Sequence, residues 1–491
     1  MTKFYCTTAI DYPNGRPHIG HAYEKIITDS YNRWYKLLGY QTHYLTGTDE
    51  NGQKLIESAK AAGKDTQNYV DENVVFFKEL CEKADVKYDD FIRTTEKRHH
   101  DVCHELWKKI EDKGLIHHGH YSGKYCLSCE SFYTESQAPD GNCPEHHKPL
   151  DIKEEEGFFF KLSSFQSWII DYLKANPTFI TPKTKYNEIL SRLEGDDLMD
   201  LSISRPNQGW GVEVPGNNKF VMYTWFDALI NYYSALNESQ REFWPADMHV
   251  IGKDILWFHS VIWPCILKAC DLPLPKQVYV HGMVLAEDGK KMSKSLGNVV
   301  DPMDMLAKYP CDTFRYYLIR NISASSDGKF SEAELVSKHN TELGNDYGNL
   351  LMRVIKLSMK TLGDVNIDAT DVTQEIDCSE TFKKAKSFMD EREHNKAIET
   401  IWEFIYSLNQ YVNDKEPWKH KEDLKQFKHI VYNCLYGMQA VTFMLQAFMP
   451  TTAASALTFI GSSLNTIDSL EFGKASFKLT EPVALFPKIE A

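Results

Sequence analysis

The chain has 491 residues, 42% hydrophobic and 13% aromatic, with a formal net charge of −14. That length exceeds one ordinary domain and that apolar content supports packed cores, which excludes a disordered chain and a single small module. No apolar run approaches the roughly 20 residues a membrane-spanning helix needs, and the start shows neither a secretory leader nor an Arg-rich presequence. A cytoplasmic protein with no membrane partner is expected. The acidic balance argues mildly against nucleic-acid binding but leaves room for a local basic face.

Residues 4–9 read as a buried strand and 42–46 as a second. Between them Ile26, Ile27, Tyr31, Trp34, Leu37 and Leu38 recur at helical spacing, closed by Gly39. A strand–helix–strand unit of this kind implies parallel strands, with ligands at the strand C-terminal ends. Two helices follow, one carrying Val70, Val74, Phe77 and Leu80, the next Val102, Leu106 and Ile110. From Ile116 to Gly216 short aromatic segments alternate with Cys, Pro and Gly turns, the pattern of an inserted subdomain.

Buried strands return at 249–252 and 278–282, and after Pro302 the chain reads as almost wholly helical. Leu343, Tyr347, Leu350, Val354 and Leu357 form one apolar stripe; Ile398, Ile401, Trp402, Ile405, Leu408 and Val412 form another. The expected fold class is α/β: a doubly wound Rossmann-type domain in two halves (1–115 and 217–335), a connective insertion (116–216) and a C-terminal α-helical bundle (336–491).

Two segments carry the clearest chemistry. His18-Ile19-Gly20-His21 opens the first helix, where unpaired N–H groups and the helix dipole favour phosphate. Its two imidazoles share one face and can donate to transferring phosphate oxygens. Far downstream, Lys290-Lys291-Met292-Ser293-Lys294-Ser295 sits in a polar loop turned by Asp288-Gly289. The ammonium groups of Lys291 and Lys294 can follow charge onto a departing pyrophosphate. Together, in this order, the two segments point to an ATP site built for nucleotidyl transfer.

A third cluster reads as metal-binding. Cys126-x-x-Cys129, thirteen intervening residues, then Cys143-x-x-His146 has tetrahedral zinc-knuckle spacing, and four protein ligands imply a structural site. His147 is the alternative fourth ligand on spacing alone. The remaining eight cysteines are scattered among apolar or helical neighbours and read as reduced thiols. In the bundle, Asn349 and Arg353 are one helical turn apart, and Trp418 follows Pro417 just after a helix end. An Asn–Arg pair can read base edges while an indole stacks on an unpaired base.

With these motifs, the chain resembles the methionyl-tRNA synthetases, a class I aminoacyl-tRNA synthetase family, over residues 3–490. The resemblance includes the Pro13-Asn14-Gly15 loop, Thr46-Gly47-Thr48-Asp49-Glu50, Trp225-Phe226-Asp227-Ala228, Gly252-Lys253-Asp254-Ile255 and the run through Asp301-Pro302. It implies catalytic roles for His18, His21, Lys291 and Lys294, and ATP contacts from these together with Gly20 and Ser293. It also implies a methionine slot of Ile10, Tyr12, Trp225, Ala228, Tyr232, Phe258 and His259, with Asp49 on the ammonium group and Asp254 on ribose or amino acid. Leu229 stands where some family members carry proline. Anticodon contacts fall on Asn349, Arg353 and Trp418, and the family's single-knuckle form favours His146 as the fourth ligand of one zinc ion.

The implied activity joins methionine to tRNA(Met) through methionyl-adenylate, with ATP as substrate and Mg2+ beside it. A monomer is the default expectation. A class I synthetase for another aliphatic amino acid is an alternative. Such enzymes usually insert a much larger editing domain, and a hydrophobic pocket rejects one methylene only weakly. An inactive tRNA-binding paralogue would have lost a signature histidine or lysine, and all four are present.

Overall fold

The structure is a computed structural model and describes residues 2–126, 131–133, 138–144, 147–292, 297–363, 366–462 and 470–490. Strands β1 (Lys3–Thr8), β2 (Gln41–Thr48) and β3 (Asp90–Arg93) come first. The insertion contributes β4 (Ile116–Cys126), β5 (Ser131–Tyr133), β6 (Asp151–Phe160), β7 (Ile180–Thr181), β8 (Leu201–Ser202), β9 (Ser204–Pro206) and β10 (Glu213–Val214). Then follow β11 (Asn217–Met222), β12 (Met248–Gly252), β13 (Val278–His281), β14 (Val284–Leu285) and β15 (Gly328–Lys329).

The central sheet is parallel, in the order β3-β2-β1-β12-β13-β7. Its strands are almost continuously buried rather than buried at alternate residues, because helices cover both faces. Within residues 116–216, β4 and β6 form a long antiparallel ribbon from Ile116 opposite Phe160 to Tyr125 opposite Asp151, inside a sheet ordered β5-β4-β6-β8, while β9 and β10 pair with β11 beyond it. The insertion also lends the edge strand β7 to the central sheet, which its Cys- and Gly-rich texture did not suggest. Two further elements were not anticipated, the short strand β3 and the helix Gln53–Ala61. Both are too short for periodicity to mark.

Helix α1 (Ile19–Leu37) is buried along most of its circumference, with Tyr23, Ile26, Ile27, Tyr31 and Trp34 all in the core. It lies between the sheet and the C-terminal helices, so no polar face is required of it. Its Asp29 takes a hydrogen bond from the guanidinium of fully buried Arg315 at 2.6 Å. The same guanidinium reaches the carbonyls of Phe448 at 3.0 Å and Ala84 at 2.9 Å. One side chain thereby joins the sheet's first helix to the end of the bundle. The bundle is built from helices Asn349–Leu362, Ser379–Asp390, His394–Lys415, Leu424–Leu445 and Pro450–Phe459, as the two stripes predicted. Among the described residues no helix is long and apolar enough to cross a membrane.

Candidate active site

Strand order reverses between β1 and β12, which opens a crevice at their C-terminal ends. From one lip, β1 runs through the 9–18 loop into α1; from the other, β12 ends at Gly252 beside Lys253 and Asp254. The loop is zipped to the end of β2: Asp11 donates its N–H to the Gly47 carbonyl (3.0 Å), and Asp49 donates to the Asp11 carbonyl (2.8 Å). Gly47 is needed where it stands, because a Cβ there would lie 2.0 Å from the Ile92 carbonyl oxygen.

At the start of α1, His18 Nδ1 accepts from the Gly20 N–H (3.1 Å), and His21 Nδ1 accepts from the His18 N–H (3.0 Å). A ring nitrogen that accepts carries no proton, so the proton of each neutral ring sits on Nε2. The rings stack at 3.7 Å, and a Cβ at Gly20 would fall 2.9 Å from His18 Cε1 and break the stack. Burial, then the adjacent His18 imidazole and Lys25, push His21 well below its usual range. The helix start therefore offers neutral donors whose tautomers the backbone sets.

Beside it lies an aromatic slot. Trp225, Ala228 and Tyr232 recur at spacings of three and four on the helix Thr224–Ser234, so they share a face. Trp225 stacks on Phe258 with centroids 4.0 Å apart, and Tyr12 meets Trp225 edge-on at 6.5 Å. Phe258 and His259 open a π-helical turn, Phe258–Ile262, a distortion frequent at functional sites. The His259 Nδ1–H donates to the Ile255 carbonyl (2.9 Å), leaving Nε2 to accept from the Tyr232 hydroxyl (2.7 Å). Burial lowers His259 to about 4, so this ring too is neutral. Asp49, 2% exposed, accepts from the Thr224 hydroxyl at 3.2 Å. Near it Asp227, fully buried, receives the Asn51 amide at 3.1 Å, and burial followed by the charge of Asp49 raises its carboxyl well above the usual range.

The chain that builds this crevice is similar to known proteins in sequence and in fold. The family described as tRNA synthetases class I (M) matches residues 4–151 and 146–355. A methionine–tRNA ligase of Caldanaerobacter subterraneus is 37% identical over 99% of this chain and 79% of its own length. That of Clostridium perfringens is 39% identical over 99% and 78%. The methionyl-tRNA synthetase of Mycobacterium tuberculosis, solved with methionyl-adenylate, superimposes with a TM-score of 0.92 at 35% identity, covering 99% of this chain and 100% of that one. The chain belongs to the methionyl-tRNA synthetase family. Its fold class is as the sequence indicated, an α/β Rossmann-type synthetase domain with a C-terminal helical region.

The remaining expected positions of this synthetase distribute as follows. Ile10 is half-buried on the same loop as Tyr12. Asp254 is exposed on the turn after β12, next to Lys253, whose ammonium pairs with Asp327 at 2.8 Å. The basic loop leaves the sheet through β14, which pairs with β15. At its base a Cβ on Gly282 would sit 2.1 Å from the Ser326 carbonyl oxygen, so the loop's root is packed tightly. Lys291 is exposed, while Ser293 and Lys294 lie outside the described residues.

Of the zinc set, Cys129 and His146 also lie outside the described residues. Cys126 ends β4 and Cys143 opens a turn closed by its N–H to the Lys148 carbonyl and by the His147 N–H to its own carbonyl, both 2.8 Å. That turn leads directly into Asp151, the partner of Tyr125, so the topology brings it to the Cys126 end of the ribbon. Both cysteines are buried, and the thiol–imidazole donor set suits zinc. In the bundle, Asn349 is exposed, Arg353 donates to Asn413 Oδ1 at 3.2 Å, and Trp418 is 37% exposed. Sequence reasoning passed over Asp227, Thr224, Asp11 and Lys25. Asp227 lay inside a quoted motif and could have been found as a carboxyl one helical turn from the Thr224 that faces Asp49.

Proposed function

We propose that this chain is a methionine–tRNA ligase that activates methionine with ATP to methionyl-adenylate and then acylates tRNA(Met). One observation carries the reading: a buried carboxylate and a stacked Trp225–Phe258 slot share one crevice with a histidine-capped helix start. A thioether packs favourably against aromatic faces, and Asp49 is placed to take the ammonium group. The methionine carboxylate is the nucleophile: its oxygen forms a bond to the α-phosphorus as the bond to pyrophosphate breaks. No general base is required, so the protein's part is positioning and charge stabilisation.

His18 and His21 donate from Nε2 to the phosphate oxygens, and the Gly20 region admits the triphosphate to the helix start. Lys291, Ser293 and Lys294 close from the basic loop onto the departing pyrophosphate. Asp254 meets ribose or amino acid, and Ile10, Ala228, Tyr232 and His259 complete the slot. Mg2+ accompanies ATP as a charge neutraliser. Cys126, Cys129, Cys143 and His146 hold one zinc that braces the connective insertion, residues 116–216, between the catalytic halves 1–115 and 217–335. The 336–491 bundle reads the anticodon through Asn349, Arg353 and Trp418. The test is ATP–pyrophosphate exchange across all twenty amino acids without tRNA. Exchange stimulated selectively by methionine is expected; stimulation by a branched aliphatic amino acid would keep the class and overturn the specificity.

A further inference from the structure

A buried ion pair lies directly beneath the signature histidines. Lys25, with a side chain 1% exposed, points its ammonium at Asp11 Oδ2 in direct contact. Lys25 and His21 are four residues apart and share a face of α1. The other carboxylate oxygen, Asp11 Oδ1, lies 3.7 Å from His21 Nε2, the nitrogen that carries the proton. The backbone of Asp11 is spent as well, its N–H on Gly47 and its carbonyl on the N–H of Asp49. Every polar group of this residue ties one part of the crevice to another.

We propose that Asp11, held by Lys25, is a positioning residue for adenylate formation: it locks the loop bearing Ile10 and Tyr12 to α1 and sets a carboxylate beside the His21 ring. The proposal rests on the synthetase reading of the crevice and adds to it a device that couples the amino-acid side to the ATP side. Asp11 stands between the two slot residues Ile10 and Tyr12, so a shift of its carboxylate moves both. A misplacement of about 1 Å costs about 100-fold in rate at such sites, so a small slackening is enough to be measured.

The pair's charge state follows from its surroundings. From α1, His21, Glu24 and Lys25 face Asp11; from the end of β2, Asp49; from the neighbouring helices, Cys81 and Tyr232; and from β13, His281 reaches Glu24 at 2.9 Å. Burial outweighs the ammonium of Lys25 and, with Glu24, lifts the Asp11 carboxyl to about 6. Between its ordinary 3.8 and about 6 the folded chain binds this proton more tightly than the unfolded one, so ionising Asp11 costs stability rather than adding it. Its carboxylate is therefore better explained by what it holds than by the stability it gives.

The test is methionine-dependent ATP–pyrophosphate exchange by the full chain as pH is varied, comparing wild type, Asp11→Asn and the double variant Asp11→Asn/Lys25→Met. Wild-type kcat is expected to fall as pH drops through about 6, where Asp11 takes up its proton, with the methionine KM little moved. Burial displaces His21 downward and the Glu24 carboxylate displaces His281 upward, and the Asp11→Asn profile separates their titrations from that of Asp11. Asp11→Asn is expected to lose about 10- to 100-fold in kcat at neutral pH and to show no limb near 6.

The double variant removes both charges, which leaves no uncompensated buried ion and protects folding. It should stay slow and flat. A double variant that recovers wild-type turnover, or an Asp11→Asn enzyme that keeps the acid limb, would overturn the proposal and leave the pair a packing feature. A wild type without methionine-dependent exchange would instead fail the functional reading itself, so the two failures are distinguishable.

Discussion

Asp49 and Asp227 are two buried carboxyls close enough to interact, and each has a different partner. Asp49 has the Thr224 hydroxyl and is the residue proposed to take the ammonium group. Asp227 has only the Asn51 amide on Oδ2, with no partner for Oδ1 among the described residues, and burial followed by the charge of Asp49 lifts its carboxyl well above the usual range. Amide substitution should therefore separate them. Asp49→Asn removes a charged partner worth about 1.5–3 kcal/mol, which raises the methionine KM in exchange about 10- to 100-fold. Asp227→Asn mimics the protonated form and should leave that KM within about threefold. Equal losses in the two variants would mean that Asp227 also carries charge toward the substrate.

At the scale of elements, the parts that periodicity marks were the legible ones. The strand–helix–strand start was visible because Ile26, Ile27, Tyr31 and Trp34 repeat at helical spacing between apolar runs, and both bundle stripes became helices. The insertion was readable as a change of texture, but not that its residues Ile180–Thr181 would complete the central sheet, since two residues carry no pattern. At the candidate site the histidine-capped helix start was legible, because the motif of His18, Gly20 and His21 fixes backbone geometry. Asp11 and Lys25 were not, because their meaning arises only when the loop folds back over α1. The ribbon proposed to hold zinc is the element whose reading can be checked most directly. Purified protein should carry one zinc per chain by elemental analysis, and Cys126→Ser/Cys143→Ser should lose it and lower the protease resistance of the β4–β6 ribbon. Full metal retention by that variant would remove the knuckle from the account.

Over the whole molecule, α1 is the shared wall between the catalytic sheet and the bundle, and two ties cross it. The Arg315 guanidinium serves Asp29, Ala84 and Phe448 at once, a task that one planar fork can perform and an ammonium cannot. Arg315→Leu should cost about 3–5 kcal/mol, as expected when a buried pair loses one partner, seen as a lowered thermal unfolding midpoint, and Arg315→Lys should recover only part. The second tie is His394, whose ring nitrogens meet the Tyr23 hydroxyl at 3.3 Å and the Tyr31 hydroxyl at 3.4 Å. His394 begins the 22-residue helix His394–Lys415, about 33 Å long at 1.5 Å per residue. The helix is capped by Glu416 in a left-handed turn, after which Pro417 is buried and Trp418 is exposed, and near that end Asn413 accepts from Arg353. One rigid rod thus starts among the tyrosines of α1 and ends beside two of the three residues proposed to read the anticodon. Its far end can be altered without touching the crevice. Trp418→Ala should lower kcat/KM for tRNA charging about 10- to 100-fold, the loss of one stacked base at about 1–3 kcal/mol, while exchange without tRNA stays at the wild-type rate. If exchange falls with charging, the indole is holding the rod's end in place rather than stacking on a base.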